Sequence, residues 1–342
     1  MNTSTSPGLS SPSSSSQSTD TVENTAGNAT FLSLPPELHE HIVELSLFPS
    51  SQPSSPSSSA TKNIIHALSL TSPYLHSISR PFLYASLSVR GVAQIARVLE
   101  KLESLKGRER IVRSLFISDA SSPESLTSSG NHDSSPEVTK RLILRLLALA
   151  APTLYTLEVR AGDARTSTSL FGHVFRISFP LLQELSVNGY YPFPNSPLAP
   201  IPSLFPSLTH LSLHGNRNPV GLLTLGSLLS FPSLQELKVG GLSAAGSFCI
   251  EVEGVLASYS YSSSEACSVI FEEEYEDSPE EEGQLLPTTL KRIVLQAAPA
   301  PIVRAGKQTT AQMKDRVMLE RLRVLEGTRN GVEVVVLPRE EV

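Results

Sequence analysis

The sequence predicts an α/β repeat solenoid, a parallel sheet of short strands backed by helices, preceded by a small three-helix module. Two observations carry this. A nine-residue segment recurs three times in register, and an amphipathic helical stripe lies between two serine-rich tracts ahead of those repeats.

The elements follow in chain order. Residues 1–30 are rich in Ser, Thr and Asn and nearly free of large apolar groups, so they are expected to be a disordered tail. They hold no Lys or Arg and no apolar core of a signal peptide. Residues 31–85 form the expected helical module, with a Ser/Pro-rich insert at 49–61. Its first helix carries Leu34, Leu38, Ile42 and Leu45 on one stripe, opens on Pro35-Pro36 and stops at Pro49. His39 and His41 read as polar surface. Asn63–Leu70 is the second helix, and Pro73 opens a third that Pro81 ends. Phe82–Val89 then alternates as a strand does.

Residues 86–308 hold the repeats. Phe179-Pro-Leu-Leu-Gln-Glu-Leu-Ser-Val187 recurs as Phe205-Pro-Ser-Leu-Thr-His-Leu-Ser-Leu213 and as Phe231-Pro-Ser-Leu-Gln-Glu-Leu-Lys-Val239. Five positions are spaced by 26 residues in both steps. Weaker copies lie at Leu154–Val159 and Leu290–Leu295, with an earliest one at Val112, Leu115 and Ile117. The 56 residues between Leu234 and Leu290 leave room for a degenerate unit at Ala266, Val269 and Phe271. The second Leu of each copy and its final aliphatic residue sit two apart, so both point to one side of a short strand. Covering helices are expected at Glu137–Ala150, Thr168–Ile177, Pro219–Ser230 and Gly246–Ala257, and a proline-built connection before Leu204. Residues 309–342 supply a cap, a helix at Gln312–Leu325 and a strand at Gly331–Pro338.

Composition narrows the function. A net charge of -6 leaves no basic footprint for nucleic acid and no polybasic patch for a membrane surface. Cys249 and Cys267, 18 residues apart, read as reduced thiols of a soluble cytoplasmic or nuclear protein. Phosphate-cradling glycine motifs and a nucleophile elbow are absent, and His210 with His214 lacks a third ligand at metal spacing. A binding protein with no catalytic residues, cofactor or metal is therefore expected. The acidic loop 272–282 is either a solvated charge run or a regulated segment with Ser278, followed by Pro279, as its phosphosite.

The L-x-x-L-x-L skeleton of each copy resembles a leucine-rich repeat, and the resemblance implies a horseshoe whose concave face bears the outward strand residues. On that face it places Glu158, Arg160, Glu184, Asn188, His210, His214, Glu236, Lys238 and Arg292 as substrate-binding candidates. The alternative for each is a plain solvated position. The module, with Leu34-Pro-Pro-Glu-Leu38, Ile42 and Ala67-Leu-Ser-Leu70-Thr-Ser-Pro-Tyr74, resembles an F-box. It differs in the insert, in Ala67 where a Cys is common and in Tyr74 where a Trp is common. Module and irregular repeats together look like fungal F-box-like proteins. That resemblance implies a non-catalytic, substrate-recruiting subunit of an SCF-type cullin ubiquitin ligase. Leu34, Pro35, Leu38 and Ile42 would contact a Skp-family adaptor, with Leu68 and Leu70 supporting or joining them, and the repeats would hold a protein substrate. The alternative is an interaction scaffold of the same shape with no ligase link, its module only a cap.

Overall fold

The structure is a computed structural model that describes residues 33–47, 58–107, 110–119, 136–192, 203–224, 227–261, 286–300, 309–329 and 331–339. Three helices come first: α1 (Pro36–Leu47), α2 (Ser58–Thr71) and α3 (Pro73–Ser79). The second begins inside the expected 49–61 insert rather than at Asn63. Ser72 caps α3 by accepting from the Leu75 N–H, and the cap falls just before Pro73. A 3-10 turn, Arg80–Tyr84, replaces the start of the expected Phe82–Val89 strand. Its tightness lets Phe82 and Ala85 join Val43, Leu47, Ile65 and Ile78 in a small core, with Leu68 packed against it.

The sheet follows. Its strands are β1 (Ser86–Arg90), β2 (Ser114–Ser118), β3 (Thr156–Arg160), β4 (Glu184–Asn188), β5 (His210–His214), β6 (Glu236–Leu242), β7 (Arg292–Ala297), β8 (Gly327–Arg329) and β9 (Val332–Leu337). The order across the sheet is β1-β2-β3-β4-β5-β6-β7-β9-β8. Every pair from β1 through β7 to β9 is parallel; only β8, paired with β9, is antiparallel. Chain order and spatial order therefore coincide almost throughout, which gives an eight-stranded parallel α/β arrangement.

Helices cover one side: α4 (Gly91–Ser104), α5 (Pro136–Ala150), α6 (Ala164–Val174), α7 (Gly246–Tyr261) and α8 (Thr310–Leu325). The inward pairs Leu115/Ile117, Leu157/Val159, Leu185/Val187, Leu211/Leu213 and Leu237/Val239 are all buried in one continuous core beneath them. The 26-residue spacing sets the register, because Leu185 pairs with Leu211 and Leu211 with Leu237. Phe179 stacks on Phe205 at 5.6 Å between ring centroids, and Phe205 meets Phe231 edge-on at 5.4 Å. The Ser207 hydroxyl donates to the Pro180 carbonyl at 2.8 Å, and Ser233 does the same to Pro206 at 2.6 Å. So the serine after the second and the third Phe-Pro ties its copy to the one before.

Several expectations are corrected. α4 was not foreseen, although Ile95, Leu99 and Leu102 form its buried stripe. α6 starts at Ala164, not Thr168, because Asp163 accepts from the Arg165 and Thr166 N–H groups as its cap. Among its described residues Pro219–Ser230 is no α-helix: 220–224 are turns, and Ser227–Ser230 is a short 3-10 helix. The buried Glu251 carboxylate of α7 takes the N–H groups of Gly221, Leu223 and Thr224 at 2.7–2.9 Å, so the chain wraps a side chain instead of closing its own helical bonds. No repeat strand separates β6 from β7, because these two are directly paired, Leu237 with Ile293. The 56-residue step contains α7 and residues 262–285, and the expected unit at Ala266–Phe271 lies outside the described residues. So do the 1–30 tail, the 272–282 loop with Ser278, Cys267 and most of the proline connection. The cap consists of α8, closed at Thr309 by a reciprocal pair with Gln312, and of β9; the β8 hairpin is an addition.

Candidate functional site

Two surfaces arise from this arrangement. The first is the side of the sheet that the helices leave open. Outward residues alternate with the buried ones, so they align across strands in rows. One row runs Thr156, Glu184, His210, Glu236, Arg292 and Glu333. The next runs Phe116, Glu158, Ser186, Ser212, Lys238 and Val294, and a third Ser118, Arg160, Asn188, His214 and Gly240. The nine candidates from Glu158 to Arg292 all fall in these rows.

Their chemistry is uneven. Arg292 bridges Glu333 at 3.0 Å and Glu236 at 3.7 Å, which makes a charge-alternating ladder at the late end. Arg160 pairs with Glu158 at 2.7 Å. His210 is exposed and shares a 2.9 Å hydrogen bond with the Thr209 hydroxyl. The His214 imidazole folds down over Gly240, where an added Cβ would collide with it; that is why Gly240 is buried although it stands on the open side. Val294, also in these rows, is buried as well. Phe116 was missed as a member of this face. It is the aromatic residue among polar neighbours, and its position two strands before the first clear copy hid it.

Glu184 sits half-buried between Thr156 and His210, and burial pushes its carboxyl above the usual range while His210 pulls weakly the other way. A carboxyl that binds its proton more tightly when folded contributes stability below its unfolded pKa and loses it as pH rises through the folded pKa. Glu184→Gln is therefore expected to melt at or above wild type at pH 7 and to lose that advantage below pH ~4, near the unperturbed carboxylate values. Thermal melts at the two pH values check this. A Gln variant that melts lower at pH 7 would contradict it.

The second surface is the outer side of α1. Val43 and Leu47 face the small core, and so does His39. The expectation of surface for His39 is corrected: it is buried, hydrogen-bonded to the Tyr74 hydroxyl and edge-on to its ring at 5.4 Å. Only one face of α1 can pack inward, so the stripe of Leu38, Ile42 and Leu45 is turned out, at 46%, 42% and 47% exposure. Leu70 is 73% exposed, Pro35 exposed and Leu34 half-buried, whereas Leu68 supports the core. The two surfaces are joined by Glu44 of α1, which pairs with Arg113 just before β2; the Arg113 guanidinium also lies 4.7 Å over the Tyr155 ring.

Among the described residues no cluster of three or more His, Cys, Asp or Glu side chains is placed to hold a metal ion. Cys249 is buried, and burial pushes its thiol up to about 11. No helix among the described residues is long and apolar enough to cross a membrane. Comparison of the chain with protein-family models, with curated proteins and with solved structures yields no match in any of the three.

Proposed function

We propose that the chain is an F-box-like leucine-rich-repeat protein, a non-catalytic subunit that recruits a protein substrate to an SCF-type ubiquitin ligase. In this reading residues 31–85 dock on a Skp-family adaptor and the open sheet face holds the substrate. The observation that carries it is the outward stripe Leu38, Ile42 and Leu45, an apolar surface on a module that already has its own core. A solvent-facing stripe of large aliphatic groups at helical spacing is what a partner helix or groove buries. The even spacing of parallel strands in chain order, with polar residues outward, supports the solenoid half of the reading. Ser278 stands as a phosphosite proposal within the acidic segment, and a cytoplasmic or nuclear location goes with the ligase reading.

A scaffold with no ligase link is favoured by a different observation. The module packs α2 against β1 and ties α1 to Arg113, so it also covers the first edge of the sheet as a cap would. Titration of the full chain with a purified Skp-family adaptor separates the two. The ligase reading expects saturable one-to-one binding that Leu38→Asp weakens tenfold or more, because a charge would replace a Leu worth about 1.5–3 kcal/mol when buried. Its melting temperature should change little, since Leu38 lies outside the small core. No binding by wild type, or unchanged binding by a folded Leu38→Asp, would leave the scaffold reading standing.

A further inference from the structure

We infer that the early end of the open sheet face is a binding site for an oxyanion carried on the substrate, an aspartate, glutamate or phosphoserine side chain, gripped by Arg90 and Arg160 on either side of Phe116. This deepens the proposed function, because it rests on the sheet face being the substrate surface.

The register makes the arrangement. Arg90 of β1, Ser118 of β2 and Arg160 of β3 lie side by side in one row. Strands are spaced ~4.8 Å apart, so the two arginine backbones stand about 10 Å apart with Ser118 between them. Both side chains lean back over the ring one row down, and their guanidinium carbons lie 5.5 Å and 5.3 Å from the Phe116 centroid. A guanidinium held on an aromatic face keeps its N–H edge free and loses less freedom when it binds an anion. Two such edges, pinned on one ring, form a preorganised clamp for a carboxylate or phosphate.

The negative groups nearby do not fill it. Glu158 is paired with Arg160 across an exposed contact, a kind of pair worth little in water and open to exchange. Asp119, next along the chain from Ser118, has both oxygens turned to the Gly162 N–H, at 2.9 and 3.2 Å. No carboxylate among the described residues pairs with Arg90. The late end of the same face differs, because there Arg292 stands between two glutamates with no second arginine in its row, so that end is net acidic. An acidic side chain of an extended partner therefore has its best seat at the Arg90–Phe116–Arg160 end.

The test uses the full-length chain and four bead-bound libraries of random eleven-residue peptides whose central residue is fixed as Glu, phosphoserine, Gln or Lys. Wild type should be retained at least fivefold better by the Glu or the phosphoserine library than by the Gln library. Preference for phosphoserine alone assigns the seat to phosphate, and preference for both shows that a carboxylate suffices. Arg90→Gln/Arg160→Gln should abolish the preference with an unchanged melt, and Arg316→Gln/Arg323→Gln on α8 should retain it. No preference over Gln in wild type, or a preference that survives in Arg90→Gln/Arg160→Gln, overturns the inference. Adaptor titration of the same variant keeps the two readings apart. Lost peptide preference with intact adaptor binding concerns this site only, and absent adaptor binding with intact preference concerns the ligase reading only.

Discussion

Phe205→Ala should be among the most damaging single substitutions in the molecule, costing about 3–5 kcal/mol as a buried aromatic truncated in a packed interior. Phe205 is fully buried and central to the aromatic column. It stacks on Phe179, meets Phe231 edge-on and approaches Phe175 at 6.5 Å. Alanine removes the apolar area and also the pairings of the ring with these neighbours, each worth ~0.5–1.5 kcal/mol beyond burial. The loss cannot be recovered by collapse, because the strands on both sides are fixed in register by backbone bonds. Set against a total stability of roughly 5–15 kcal/mol, this is a large share. Thermal melting should show a fall of roughly 6–20 °C, taking ~2–4 °C per kcal/mol for a domain of this size. Phe205→Leu should recover part of it, because Leu refills most of the apolar volume but restores none of the ring pairings. A near-wild-type melt for the alanine variant would mean that the column does not hold the strands together.

Gly215→Val should be of comparable severity for a backbone reason. Gly215 has φ +123°, a conformation L side chains rarely adopt, and an added Cβ would lie 2.9 Å from the Cα of Gly189 and closer still to its carbonyl. Strained backbone of this kind costs ~1–3 kcal/mol before any clash. The neighbour is backbone, so it cannot swing away, and two successive strand ends would have to separate. A drop of at least 3 kcal/mol in denaturant unfolding is expected, and Gly215→Ala should share most of it because the first carbon makes the collision. Gly246, with nothing within 4 Å of its Cβ direction, is the control. Gly246→Ala should be neutral or slightly stabilising. Equal effects at the two glycines would contradict the close approach of the strand ends.

That glycine shows what was legible in the sequence and what was passed over. The Phe-Pro-x-Leu spacing exposed β4, β5 and β6 because burial repeats the same demand in each copy. Gly189, Gly215 and Gly241 have the same 26-residue spacing and all have positive φ, yet a search for apolar identities does not register them. The missed α4 has a clear stripe in Ile95, Leu99 and Leu102 but opens at Gly91 behind Arg90, which provides no side-chain cap. The false helix at Pro219–Ser230 has helical apolar spacing. What defeats it is Glu251, about 30 residues on, whose carboxylate offers those N–H groups a better partner than their own turn.

The candidate surfaces divide in the same way. The outward rows of the sheet were readable, because strand alternation is local: once Leu185 and Val187 are inward, Glu184, Ser186 and Asn188 are outward. The orientation of α1 was less so, since Leu38-Ile42-Leu45 and His39-Val43-Leu47 both have helical spacing. Which one packs inward is decided by Tyr74, Ile78 and Phe82, far along the chain. Tyr74 accommodates a buried histidine and so turns the aliphatic stripe outward. The clamp around Phe116 needed the register of three strands separated by long connections, which no local pattern contains.

Hydrogen–deuterium exchange of the full chain, with and without a purified Skp-family adaptor, shows whether α1 and α2 form the docking face. Adaptor addition should slow exchange in peptides covering α1 and α2 and leave β3 to β6 unchanged, so that the sheet face stays open for a second partner. Absence of protection at α1 and α2, or protection appearing instead across the sheet face, would contradict this docking.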